Sequence, residues 1–582
     1  MYGSLRVSRL ATFVIALVGA VILLVTTIQP VAAAPAAPSP AAAKPVPTAS
    51  TSQSLDGIRP KAALFPTVPE VQKFYTLPGS QQGKTFELRN SSRIVVKVPF
   101  PQRKQVRRDA ERFSRELVQV AGAAVGNTTL KVVSGIWYFP RPGDIILQLG
   151  PVVGASTEYQ DSAYSIGITD TVIATAYTPQ GLFYATRSIL QVLKADKKLP
   201  FGLVTDWASK PDRILHVDAG RKYFSLAWFK NQIRRMSYLK MNQLQYHFSE
   251  NEGYRLESDT YPQIVSKQHL TKAELRELIR FAAEHYVEVV PAFDMPGHME
   301  AILNHFPQFR ASQTAEGKRI LDYSNPDAVH MVKNLINEYA ELFPSNKWHM
   351  GGDEVFNLES TIDEMGRNFP QLVDYAKQHA QAGVNANILD GYTYFLNDLS
   401  QYLRSRGKTD IRAWNDALYW DGVTEELDAR VTITYWSRWF KTWVSTERIR
   451  QHGHKLINFN GDVLYYVLTK PGKGYFIKPS PLKIYLWNVG VFPNRAGITR
   501  LHPAEEQNRY DTPTPKWITG AALSIWADYP NVATEQQVSE GIYPRLAAAA
   551  TRMWKEEPQL CYFAFRRNFA QVGDPVTWVT KN

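Results

Sequence analysis

The residues best equipped for chemistry are two adjacent carboxylates, Asp353 and Glu354, closing the segment His349-Met350-Gly351-Gly352-Asp353-Glu354. In a regular strand, neighbouring side chains point to opposite faces. The two acids can share one pocket only if the chain turns there, and the paired glycines permit such a turn. Carboxyl groups in different environments take different protonation states, which suits one to proton transfer and the other to charge stabilisation. A second segment, Val289 to His298, reads as a buried strand ending in Asp294 and turning into His298. That imidazole can pair with a carboxylate and tune its proton. A third, Tyr246 to Asn251, carries His247 and Glu250 to another strand end. Trp414, Trp436, Tyr465 and Trp526 cap later apolar runs. Aromatic faces of this kind suit a flat, partly apolar ligand such as a sugar ring. His247, His298 and His349 lack the short spacings of a zinc site, so no metal is expected; no cofactor is expected either.

Eight short apolar runs would position these side chains: 214–219, 243–248, 287–293, 348–351, 411–414, 431–436, 456–459 and 521–526. Helix-patterned stretches separate most of them, at 226–239, 272–285, 327–342, 373–379 with 392–404, and 446–452. Alternation of this kind predicts a (β/α)8 TIM barrel, whose chemistry sits at the C-terminal ends of the strands. Every run ends in a polar or aromatic cluster, among them Asp218/Arg221 and Trp526/Asp528. The Pro/Gly-rich stretch 470–516 reads as a long loop insertion. Ahead of the barrel, strand-like runs at 93–98, 144–149, 164–169 and 172–177 and helical runs at 106–120 and 181–193 predict a small α+β domain.

The expected organisation is an export segment over 1–33, an Ala/Pro-rich linker over 34–59, the small domain over 60–208, the barrel over 209–555 and a C-terminal extension over 556–582. Arg6 and Arg9 precede the uncharged stretch Leu10–Ile28, and small residues follow at 31–34. This reads as a signal peptide. The run is also long enough to cross a bilayer, so a retained membrane anchor is the alternative. A secreted or cell-envelope location is expected. The single cysteine, Cys561, excludes an internal disulfide framework and a four-thiolate metal site. The net charge of +12 raises nucleic-acid binding, but no basic run with interleaved aromatics supports it. A basic surface suits retention on an anionic envelope better.

These motifs resemble glycoside hydrolase family 20, the β-N-acetylhexosaminidases, over about residues 60–555. His349–Glu354 is similar to the family's His-x-Gly-Gly-Asp-Glu signature, Asp294–His298 to its Asp-x-Pro-Gly-His turn, and Asp218–Arg221 to the segment whose Arg holds sugar hydroxyls. Segments 247–250, 434–437 and 520–526 look closest to dispersin-type enzymes and lacto-N-biosidases. The resemblance implies a retaining, substrate-assisted hydrolase that removes terminal β-linked N-acetylhexosamine through an oxazolinium intermediate, a known exception to two-carboxylate catalysis. It implies Glu354 as general acid/base, Asp353 as holder of the acetamido group, and Tyr465 (Tyr466 as its fallback) as donor to the acetamido oxygen. Trp414, Trp436 and Trp526 would wall the sugar, His298 and Glu250 would form a relay behind the acid, and Arg221, His247 and Asp528 would bind substrate. Its partner would be an N-acetylhexosamine-containing oligosaccharide or glycoconjugate. Glu250-Asn251 stands where many members have Asp-Asp, and Asp528 where many exo-enzymes have Glu. The shorter carboxylate leaves more room at the far edge of the terminal sugar, which keeps disaccharide release, as in lacto-N-biosidases, open. A non-catalytic glycan-binding protein is the remaining alternative.

Overall fold

The computed structural model describes residues 65–579, apart from 136–137, 441, 471–477 and 495–507. The expected export segment and linker lie outside the described residues, as does part of the expected loop at 470–516. Within that loop, residues Pro481–Leu486 form a helix capped by Ser480, whose hydroxyl accepts from the Lys483 N–H.

The leading domain is a seven-stranded mixed sheet in the order 73–76, 202–206, 164–168, 172–176, 145–149, 93–97 and 131–134. Three of these strands, Lys73–Thr76, Lys131–Ser134 and Gly202–Asp206, are too short or too mixed in pattern to stand out in the sequence. Helices Arg103–Ala121 and Pro179–Asp196 pack together over the sheet. The second is almost wholly buried along Gly181–Leu193, and hydrophobic burial of this kind is what holds such a layer together.

All eight runs of the barrel are strands: 212–218, 243–247, 288–292, 347–349, 410–414, 432–435, 456–458 and 518–526. Every neighbouring pair is parallel. The last strand closes on the first, with Asp212 opposite Gly520 through Val217 opposite Ile525. The seventh strand has an unusual top. Leu456–Asn458 pairs with the lower half of strand eight, the chain makes a helical turn at Gly461–Leu464, and Tyr465–Val467 then pairs with its upper half. That break is why Tyr465 follows its strand yet still stands at the catalytic end of the barrel.

One barrel helix is absent from the sequence reading. Glu535–Trp554 carries Pro544 and a buried run, Ala547–Ala550, so it lacks the one-sided apolar stripe that marks a surface helix. At the base, a buried ion pair joins barrel to leading domain: Lys240 Nζ lies 3.0 Å from Asp206 Oδ2, both fully buried. Asp206 also accepts from Trp554 Nε1 at 2.9 Å and from the Tyr164 hydroxyl. The C-terminal extension contains helix Tyr562–Val572, which packs on helix Pro179–Asp196.

Candidate active site

The turn after the fourth strand is built from residues that must leave the ordinary backbone regions. Gly351 and Gly352 have φ of +80° and +100°. A Cβ on Gly351 would fall 1.9 Å from Asp294 Oδ1, and one on Gly352 would fall 2.5 Å from the Tyr392 hydroxyl. Only glycine fits either place. The turn is fastened by the Gly352 N–H donating to Asp294 Oδ1 at 3.1 Å and by the Tyr392 hydroxyl donating to the Gly352 carbonyl at 2.7 Å. His349 serves the same turn: its Nδ1 accepts from the Gly351 N–H at 3.1 Å, so Nε2 carries the proton and donates to Thr434 Oγ1 at 2.8 Å. Burial holds this imidazole well below its usual range, and it is a neutral structural group.

The turn delivers both acids to one imidazole. His298 Nε2 lies 3.8 Å from Asp353 Oδ2 and 3.6 Å from Glu354 Oε2. Its other nitrogen lies 2.8 Å from Glu250 Oε2. Asp353 is largely buried, whereas the Glu354 side chain keeps 42% exposure into the cleft. Glu354 has φ of +45°, a costly conformation for a residue with a side chain. It is held there by Asp416, whose Oδ2 accepts from the Glu354 N–H at 2.8 Å and whose Oδ1 accepts from Trp436 Nε1 at 3.0 Å.

The charges separate the acids. Burial alone would raise Glu354, but His298 at 3.6 Å and the fields of Arg221 and Arg319 bring it below its usual range. Burial and the neighbouring Asp294 push Asp353 well above its usual range. Burial lifts Asp294 to about 6 and Asp416 to about 8. His298 goes up despite burial, because Glu250 and Asp353 face it; Glu250 goes down despite burial, because Arg221 and His298 do. The cleft therefore places a cationic His298 between Glu250 and Glu354, and opposed shifts set Glu354 and Asp353 apart. A coupled group of this kind titrates as a unit.

Arg221 sits across the barrel mouth. Its guanidinium reaches Asp218 at 3.0 Å, Glu250 at 2.9 Å and Glu252 at 3.4 Å, and lies over the Trp526 ring at 5.6 Å. Asp218, His247 and Glu250 offer ligand atoms within 4.8 Å of one another. A cation could be imagined there, but the Arg221 guanidinium already pairs with both carboxylates, and His247 Nε2 is engaged with Glu250 at 3.1 Å. These residues form a hydrogen-bonded base beneath Arg221. Asp528 is exposed at the rim, in the field of Arg221.

The aromatics form the remaining walls. Trp436 and Tyr465 lie parallel, 6.3 Å apart at 3°. Trp526 is 5.7 Å from Tyr465 and 6.1 Å from Trp414, which is buried beneath. Tyr465 lies in the field of Asp353 and Glu354. Tyr466 points away, under the Arg545 guanidinium at 5.0 Å. Every residue expected at the site is thus on the barrel's C-terminal face. Asp416, Tyr392 and Arg319 were not assigned roles from sequence. Asp416 had a signal, two residues beyond Trp414 at a strand end; the other two arrive from a helix and a distant loop and had none.

The site is a polar cleft walled by aromatics at the mouth of an eight-stranded barrel, with an acid at its edge. The chain belongs to glycoside hydrolase family 20: its catalytic-domain model matches residues 211–557 and its domain 2 model residues 65–207. The lacto-N-biosidase of Bifidobacterium bifidum is 27% identical over 403 residues, 69% of this chain and 33% of that protein. A β-hexosaminidase of Vibrio furnissii is 25% identical over 448 residues, 70% of this chain and 66% of that one. The chain thus spans a third to two thirds of the length of these two relatives. Flavobacterium johnsoniae chitobiase shares the fold with a TM-score of 0.70 at 21% identity, covering 90% of this chain and 74% of its own.

Proposed function

We propose that this protein is a retaining β-N-acetylhexosaminidase that uses the substrate's own acetamido group as nucleophile. The observation that carries this is the gathering of Asp353 and Glu354 at one nitrogen of His298. A two-carboxylate retaining enzyme needs its acids on opposite sides of the scissile bond. Here adjacent residues of one turn bring both carboxylates to one imidazole, which suits a reaction whose attacking atom comes from the ligand. Glu354, open to the cleft, gives its proton to the glycosidic oxygen as that C–O bond breaks. The acetamido carbonyl oxygen bonds to the anomeric carbon, with Tyr465 donating to that oxygen. Asp353, ionised at this stage, faces the acetamido N–H and stabilises the cationic ring electrostatically. Water then attacks the anomeric carbon, Glu354 takes its proton, and the ring reopens with net retention.

The test is twofold. Glu354→Gln lowers turnover of aryl N-acetylhexosaminides by about 10²–10⁴-fold, and a thiazoline mimic of the cyclic intermediate inhibits the wild type tightly. Equal slow hydrolysis by both proteins contradicts the reading and favours a glycan-binding protein; indifference of an active wild type to the thiazoline contradicts the substrate-assisted step. Release of a disaccharide is a second reading, favoured by the exposed, short carboxylate of Asp528 and by the similarity to a lacto-N-biosidase. Comparing p-nitrophenyl glycosides of N-acetylglucosamine and of a disaccharide ending in it separates the two. Export to the cell envelope or beyond belongs to the same proposal and rests on the charge and hydropathy pattern of residues 1–33. N-terminal sequencing of the protein from fractionated cells tests it.

A further inference from the structure

The charge of the chain is not spread evenly. Residues 93–141, less than a tenth of its length, carry ten basic and three acidic side chains, a net +7 out of +12 for the whole. They include one corner of the leading domain: strand Arg93–Lys97, the edge strand Lys131–Ser134 and the start of helix Arg103–Ala121. The two strands pair in parallel, from Arg93 opposite Lys131 to Val96 opposite Ser134. Arg103 Nε donates to the Val98 carbonyl at 2.8 Å, and Arg107 Nη1 donates to Ser134 Oγ at 3.4 Å. Two nearby acids are already paired, Asp144 with Arg93 at 2.7 Å and Glu111 with Arg107 at 2.9 Å. Among the described residues, Lys97, Arg103, Lys104, Arg108, Lys131 and Arg141 have no carboxylate within 4.0 Å, and the last four are exposed except for none of their charge being offset. Two phenylalanines stand out from the same corner. Phe100, three residues past the strand, is 75% exposed, with the Arg103 guanidinium 4.6 Å from its ring. Phe139, whose carbonyl accepts from Arg93 Nη2 at 3.4 Å, is 84% exposed. Val95 and Val133 are buried on the sheet face turned away from the helices, and Lys97 and Lys131, two residues along, lie on that same face.

We infer that this corner of the leading domain is a docking surface for an anionic lipid bilayer. Single exposed apolar residues are common and need no cause. Here they coincide with more than half of the chain's net positive charge. A polyanion in solution would use the charge but gains nothing from two phenylalanine rings held in water. A bilayer uses both: its headgroups attract the Lys and Arg side chains, and the rings enter the boundary between headgroups and acyl chains. Charge complementarity also selects the lipid, since a neutral surface offers these cations no partner. The uncharged stretch Leu10–Ile28 precedes this same domain, and a basic patch joined to a second, apolar element is a combination that holds proteins stably on membranes. No residue of the surface belongs to the cleft, so the inference stands or falls separately from the proposed reaction.

The experiment uses the full chain carrying Cys561→Ser and Phe139→Cys, labelled at position 139 with a fluorophore whose emission shifts to the blue when it leaves water. The label reports contact at this surface whether or not residues 1–33 are retained. Vesicles of mixed phosphatidylglycerol and phosphatidylcholine shift it, pure phosphatidylcholine vesicles do not, and high salt reverses the shift. Adding Lys104→Gln and Arg108→Gln raises the lipid needed for half the shift about tenfold, with the thermal melt unchanged. A label that stays in water on the anionic vesicles, or responds equally to neutral ones, overturns the inference. So does polyphosphate that binds through Lys104 and Arg108 while vesicles leave the label unmoved, which would make the surface a site for soluble polyanions.

Discussion

The backbone N–H of Glu354 donates to Oδ2 of Asp416 at 2.8 Å, while the other oxygen of that carboxyl accepts from the indole of Trp436. One buried side chain thereby fixes both the strained backbone of Glu354 and the Trp436 wall of the cleft. Both donors require acceptors, and an amide can present only one. Asp416→Asn therefore releases either Glu354 or Trp436, and a displacement near 1 Å at a reacting group costs about 10²-fold in rate. The expected result is a loss of that order in kcat/KM with the protein still folded, read by steady-state kinetics alongside a thermal melt. Trp436→Phe removes only one of the two donors. Its loss and that of Asp416→Asn should combine less than additively in the double variant, since the two residues share a contact.

His298 holds Glu354 low and opposes the upward push on Asp353. In His298→Gln the cation is gone, so Glu354 keeps its proton to higher pH. Asp353 and Asp294 also rise, so Asp353 ionises later. The proposed mechanism needs Glu354 protonated for the first step and Asp353 ionised, so both limbs of the bell-shaped kcat/KM profile move to higher pH. The profile of the variant between about pH 3 and pH 9 checks this; a profile moving to lower pH contradicts it.

Tyr465 is the donor expected at the acetamido oxygen. Tyr465→Phe keeps the ring parallel to Trp436 and removes only the hydroxyl. Loss of one such donor costs about 10²–10³ in kcat, whereas Tyr466→Phe, under Arg545, changes kcat little. Kinetics of the pair on one aryl substrate decides between the two tyrosines.

The Lys240–Asp206 pair at the domain junction makes a stability prediction. Lys240→Met leaves a fully buried carboxylate without its cation, which destabilises by about 3–5 kcal/mol. Replacing both partners by apolar residues of similar size recovers much of the loss. Denaturant melts of the single and double variants measure it.

The barrel was legible because its eight runs are apolar and short, because helical repeats follow most of them, and because the chain ends every run in polar or aromatic residues. The site was legible where a motif sits on one strand end, as with Asp294–His298 or the glycine turn. What stayed hidden depends on contacts between distant segments. Tyr392 fastens the Gly352 carbonyl from a helix forty residues on. Arg319 reaches Glu354 across loops from two different strands. The helix Glu535–Trp554 was hidden for another reason: buried on most sides, it shows no periodic contrast between faces.

The proposed mechanism turns on the ligand's amide being the nucleophile. The most direct measurement is kcat/KM across aryl N-acetylglucosaminides whose acetyl group carries none, one, two or three fluorines. Each fluorine makes the carbonyl oxygen a poorer nucleophile and leaves the leaving group untouched. A steep, monotonic fall across the series is the predicted result. A flat series would mean that the attacking atom belongs to the protein or to water, and would contradict it.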